Sequence, residues 1–156
     1  MKLYIKEEIF TLGDTFSIYD ELGNEKYYAQ SEVISFGRKL HLYDTSENEL
    51  AFIRQRLMTF LPKYTVEING EEVAEVIKEF TLFRQAYSVP ALDWHIEGDF
   101  FSHEFTVCKG EEQIATVSRE WFTLGDAYAI EISPSAHEIM ALAVVLIIDM
   151  IAEDSN

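Results

Sequence analysis

The sequence predicts a mainly-β protein in which antiparallel strands surround one buried C-terminal helix. Three observations predict it. From Ile139 to Ile148 the chain reads Ile-Met-Ala-Leu-Ala-Val-Val-Leu-Ile-Ile, apolar on every face. A helix apolar all round must be enclosed, by lipid or by its own protein, and this run is well short of the ~18–20 residues that span a bilayer. The preceding chain is cut by turn residues into short alternating segments, the mark of strands joined by hairpins. No interior stretch is rich in Gly, Ser or Pro, so residues 1–156 read as one domain.

The elements follow in order. Thr15–Tyr19 and Lys26–Gln30 flank the hairpin turn Glu21-Leu22-Gly23-Asn24. Lys39–Tyr43 is expected to pair with Glu49–Arg56. Tyr64–Ile68 and Glu72–Lys78 flank Asn69-Gly70, a strong hairpin signal. Thr81–Val89, Trp94–Glu97, Phe100–Lys109, Gln113–Arg119 and Ala127–Ile132 complete about ten to twelve strands. Ser135, three residues before Glu138 and just after Pro134, fits a capping box that opens the helix. Some eighteen residues at 1.5 Å each give a helix about 27 Å long. That matches the height of a small barrel, and a barrel so filled has little room for a ligand.

Residues 49–68 and 113–132 align without a gap. Ala51/Ala115, Thr59/Thr123, Tyr64/Tyr128, Glu67/Glu131 and Ile68/Ile132 are identical, which predicts an internal duplication. Phe10-Thr11-Leu12-Gly13-Asp14 recurs as Phe122-Thr123-Leu124-Gly125-Asp126. This is a turn before a strand, and no Gly-rich run leads into a helix as a phosphate loop requires.

Composition narrows the function classes. The formal net charge is −16, from 28 acids and 12 bases. Such a surface repels nucleic acid and anionic lipid at long range. Met1–Glu8 holds no apolar signal core, and the single cysteine, Cys108, forms no internal disulfide; both point to the cytoplasm. Cys108 lies in a strand pattern and reads as a buried, inert thiol. His41, His95, His103 and His137 lack metal-ligand spacing and read as structural. Ser118 and Cys108 lack the strand–turn–helix frame of a nucleophile, so the expectation is no catalytic residue, no metal and no cofactor. Glu7-Glu8, Glu71-Glu72 and Glu111-Glu112 read as solvated turns. Asp149 ends the apolar run; it is read as a solvated helix-end acid, or as one that meets a basic group at the barrel mouth.

Several segments together resemble the LURP-one-related family of the tubby C-terminal-like superfamily. They are Ile9-Phe10…Phe16-Ser17-Ile18-Tyr19-Asp20…Gly23, Gly37-Arg38-Lys39-Leu40-His41-Leu42-Tyr43-Asp44, Trp94-His95-Ile96-Glu97-Gly98-Asp99, and Asp126-Ala127-Tyr128 with Ala141–Asp149. The resemblance covers nearly the whole chain. It implies a closed antiparallel β-barrel of about twelve strands around a central hydrophobic C-terminal helix. It implies, too, a non-catalytic binding or scaffold protein with an unknown protein or lipid partner, and no nucleic acid. The alternative it offers is a phosphoinositide- or phospholipid-interacting protein of the membrane surface, like tubby or the scramblases. That reading needs clustered bases. Arg38-Lys39 and Arg54-Gln55-Arg56 are the only close basic pairs, so Arg38, Lys39, Arg54 and Arg56 are the candidate binding residues. The competing account is that all four are ordinary solvated strand residues.

Overall fold

The computed structural model describes residues 1–10, 13–82, 84–119 and 127–154. Among them are twelve strands: β1 Lys2–Phe10, β2 Gly13–Tyr19, β3 Glu25–Ser31, β4 Lys39–Asp44, β5 Glu49–Gln55, β6 Lys63–Ile68, β7 Glu71–Glu79, β8 Ala86–Val89, β9 Trp94–Asp99, β10 Glu104–Lys109, β11 Glu112–Arg119 and β12 Ala127–Ile132. Each strand pairs antiparallel with its neighbours in sequence, and β1 pairs with β12, so the sheet closes into a barrel. One helix, α1 Glu138–Asp154, follows β12. Closure leaves no open sheet edge to be covered.

The helix fills the barrel. Met140 to Ala152 are all buried. Inward residues of every sector of the wall meet it, among them Leu3, Ile5, Phe16, Ile18, Leu42, Ile53, Val66, Val76, Ile96 and Ile130. The strands alternate as a barrel wall must, one side chain in and the next out; β2 shows the pattern along its whole length. At 17 residues the helix is about 26 Å long, close to the predicted length.

Four sequence expectations are corrected. β1 was not among the expected strands, because its acids and lysines masked the alternation of Leu3 and Ile5, which are buried. β8 is limited to Ala86–Val89, and β10 begins at Glu104, because Phe100–His103 forms a turn closed by the Ser102 N–H on Asp99 Oδ1. Ser135 does not cap the helix. His137 does: its Nδ1 accepts from the Met140 N–H at 3.2 Å, while Ser135 bonds Glu112. Glu138 instead accepts from the Tyr27 hydroxyl and pairs with Lys26 at 3.2 Å.

The aligned segments 49–68 and 113–132 fall on β5–β6 and β11–β12, six positions apart around the barrel. Ile53 faces Val66 where Val117 faces Ile130, so a constant displacement of 64 residues carries one pairing onto the other. The strands before them share an irregularity: β4–β5 shifts register after Leu42, and β10–β11 after Val107. Residues 120–126, including the repeated Phe122–Asp126, lie outside the described residues, as do Thr11 and Leu12 of its counterpart.

Candidate functional site

Alternating strand directions put the β1–β2, β3–β4, β5–β6, β7–β8 and β9–β10 connections at one end of the barrel, and the last turn of α1 reaches the same end. Two features meet there: a cluster of acids around the helix terminus, and a rim of exposed apolar loops.

The acids come from three elements. Glu7 is on β1, Asp14 on β2, and Asp149, Glu153 and Asp154 on α1. Side-chain oxygens of Glu7, Asp14 and Glu153 all lie within 4.8 Å of one another. Asp149 is only 7% exposed and receives His103 Nε2 on Oδ1 at 2.6 Å. His103 in turn stacks on Tyr128, with ring centroids 4.3 Å apart. Arg38 is the cation of the cluster. Its guanidinium donates to Asp14 Oδ2 at 3.0 Å and to Asp154 Oδ1 at 2.6 Å, and stands 3.9 Å from Glu153. Both carboxylates hold the Arg38 proton more firmly, against the opposing effect of burial.

One guanidinium does not balance these acids. Burial, then the neighbouring Glu153 and Asp149 carboxyls, push Glu7 up to about 9. Burial, with Asp149 and Glu7 nearby, pushes the Tyr128 hydroxyl well above its usual value. Glu7 Oε2, Asp149 Oδ2, Glu153 Oε2 and the Tyr128 hydroxyl have no hydrogen-bond partner, although all are shut off from solvent. Buried polar atoms are rarely left so. The reading of Glu7 as part of a solvated turn is therefore corrected, and so is that of Asp149 as a solvated acid: the barrel wall closes over both.

Above this cluster the rim is apolar. Val33, Ile34 and Phe36 on the β3–β4 loop, Leu57, Met58 and Phe60 on the β5–β6 loop, and Phe80 and Leu82 on the β7–β8 loop are exposed. Ile34 is 93% exposed and Phe60 94%. The first two loops are tied together: the Arg38 N–H donates to Gln55 Oε1 at 2.9 Å, and the Gln55 N–H to the Arg38 carbonyl at 2.8 Å. The sequence reading passed over these loops. Its available signal was large apolar residues between strands, where turn chemistry usually places polar ones.

The four basic candidates gather beside the rim. Lys39 and Arg54 are directly opposite on β4 and β5. Arg56 pairs with Glu75 at 3.2 Å, and Arg38 is turned inward to the acids. Lys39 and Arg54 are thus the two of the four that face outward without an ion-pair partner among the described residues. The other flagged residues are dispersed. His41 is clamped between Glu49 and Glu32 and stacks on Phe52, and His95 lies near Asp93 on the surface. Cys108 is half-buried on the outer face of β10, opposite His95, rather than inside the core. Ser118 on β11 faces Ala129. At the other end, beside the start of α1, Trp94, Ile114, Leu92, Met140, Lys109 and His137 line a recess of about 480 Å³.

This closed barrel, with its core helix and its differentiated ends, has counterparts among known proteins. The family model described as LURP-one-related matches residues 1–149, and the chain belongs to that family. The Bacillus subtilis (strain 168) protein named Uncharacterized protein YxjI is similar, 32% identical over 151 residues that span 97% of this chain and 93% of that one. The X-ray structure of a protein from Arabidopsis thaliana has the same fold, with a TM-score of 0.62 at 17% identity, covering 96% of this chain and 91% of that one. Among the described residues no helix is long and apolar enough to cross a membrane.

Proposed function

We propose that this protein is a non-catalytic, cytoplasmic binding or scaffold module that takes a protein partner on the apolar loops at one barrel end. The observation that carries this is the segregation of exposed apolar side chains. Three loops, consecutive around the barrel, hold Ile34, Phe36, Met58, Phe60, Phe80 and Leu82 in solvent. Contiguous exposed apolar surface of this kind marks interaction sites rather than ordinary surface. The interior supports the same reading from the other side, since α1 occupies the space a small-ligand barrel would keep open. Aromatic and methionine anchors bordered by arginines are also the side chains that dominate protein interfaces.

A second reading is favoured by one observation. Lys39 and Arg54 stand free beside these loops, and their charge with the apolar tips suits a phospholipid surface. Four bases supply about 4 kcal/mol of attraction at most, and Arg38 and Arg56 are already paired. The rest of the −16 surface opposes approach to anionic lipid.

Photo-crosslinkers placed at Phe60 and, separately, at Leu22 of the opposite end test the proposal. The expected result is a discrete protein adduct from Phe60 alone, abolished by Ile34→Ser with Met58→Ser. Equal labelling from both ends, or adducts indifferent to the substitutions, would overturn it. Co-sedimentation with phosphoinositide vesicles, lost on Lys39→Ala with Arg54→Ala, would replace it with the second reading.

A further inference from the structure

Five acids converge where the helix ends, and the described residues offer them one guanidinium and one imidazole. Arg38 neutralises Asp14 and Asp154. His103 is committed to one oxygen of Asp149. What remains is Glu7, Glu153 and the second oxygen of Asp149, with no donor on any of them. The negative end of the helix dipole points to the same place, which favours a positive charge there.

We propose that Glu7, Asp14 and Glu153, backed by Asp149, form a binding site for a hard divalent cation of the calcium class. Three observations carry it. The donors are all carboxylate oxygens, the set that selects hard cations over zinc or copper. Their greatest separation, 4.8 Å, equals the span across a calcium ion held at about 2.4 Å, whereas magnesium at about 2.05 Å would require a tighter ring. The independent sign is Asp149. It is more than nine-tenths buried, its Oδ2 is unpartnered, and it interacts with the Glu7 carboxyl from the helix side. His103 holds its other oxygen, the outer contact that fixes the orientation of metal-binding carboxylates. A bound ion would join β1 and β2 to the last turn of α1. It would lie beside Arg38, whose loop carries Ile34 and Phe36.

Thermal melts of the full chain at pH 7.5, with calcium chloride against chelator at matched ionic strength, test the site. At a hundredfold excess over Kd, calcium should raise the Tm by about 5–10 °C. Terbium, a calcium mimic, should show sensitised emission through the neighbouring Tyr128. Glu7→Gln and Glu153→Gln should each abolish both responses while melting no lower than the metal-free parent, because each removes a repulsion. Glu71→Gln, at the opposite end, should leave both responses intact. An unchanged Tm with no terbium emission in the parent protein would overturn the proposal, leaving a cluster that is relieved by protons alone. So would a calcium response that survives in Glu7→Gln and Glu153→Gln.

Discussion

The helix through the barrel makes a quantitative demand, tested by Leu146→Ala. Leu146 is fully buried at mid-helix, enclosed by the strand wall on every side. The substitution removes three carbons. At about 0.8 kcal/mol per buried methylene the lost transfer energy is roughly 2.4 kcal/mol. The closed wall cannot collapse onto the vacated space, so a cavity contribution brings the total to about 3–5 kcal/mol. For a chain of this length, about 2–4 °C per kcal/mol implies a Tm lower by about 10 °C or somewhat more. Urea unfolding followed by circular dichroism should show a lower midpoint with an unchanged slope, since the surface exposed on unfolding is the same. Leu22→Ala, on a turn where the leucine is 87% exposed, is the control and should stay within about 0.5 kcal/mol. A loss below about 1 kcal/mol at Leu146 would refute the enclosed-helix reasoning. Val145→Asp should go further and eliminate cooperative unfolding, because an unpaired charge has no partner among the residues around it.

Two other perturbations probe the wall. Gly98 has φ +146° and lies opposite Phe105; a Cβ there would come within 2.5 Å of the Glu104 carbonyl oxygen and 2.6 Å of Phe105 Cα. Gly98→Ala should therefore cost about 3 kcal/mol or more, against about 1–2 for Gly70→Ala, which has φ +80° but open space; equal losses in thermal melts would count against the packing account. At His41, burial lowers the affinity for a proton, but Glu49 and Glu32 outweigh it and raise the imidazole above its ordinary value. Stability from that pair is complete below about pH 6.5 and is lost as pH rises through the raised value. The Tm difference between the parent and His41→Gln should thus be larger near pH 6 than at pH 8, and a pH-independent difference would sink this assignment.

The core was legible in the sequence because its signals are local. An apolar run without a polar face and strands of period two need no tertiary information, and they led to the helix and most of the wall. β1 was obscured because Lys2, Lys6, Glu7 and Glu8 look like a solubilising tail unless Leu3 and Ile5 are read as an alternation. The acid cluster was illegible for a different reason. Glu7, Asp14 and Glu153 belong to opposite ends of the chain, and only the pairing of β1 with β2 and the return of the helix bring them together. Asp149 was the one member singled out, since it breaks the apolar run, yet its burial depends on β1, β12 and the His103 turn. The basic residues show the converse. Their proximity in sequence survives folding, but their availability does not, because Arg38 is consumed by acids more than a hundred residues away.

A barrel closed by strand pairing and filled by its own helix leaves function to its ends, and here the ends are chemically opposite. Around the helix N-terminus the turns carry Asp20, Glu21, Glu47, Glu71 and Asp93, all exposed. Around its C-terminus the segments Val33–Phe36 and Leu57–Leu61 contain no acid at all. The strand framework does not account for this polarity. β5–β6 and β11–β12 share their register across the barrel, as a duplicated half-barrel would, and such a repeat constrains the wall without constraining the loops. Free loops adopt whatever chemistry leaves folding intact, which ordinarily means polar residues. Apolar side chains held in water on three consecutive loops do nothing for the core beneath them, and they add an aggregation liability. Their retention beside a cluster of under-neutralised acids is accounted for only if that end of the barrel meets something.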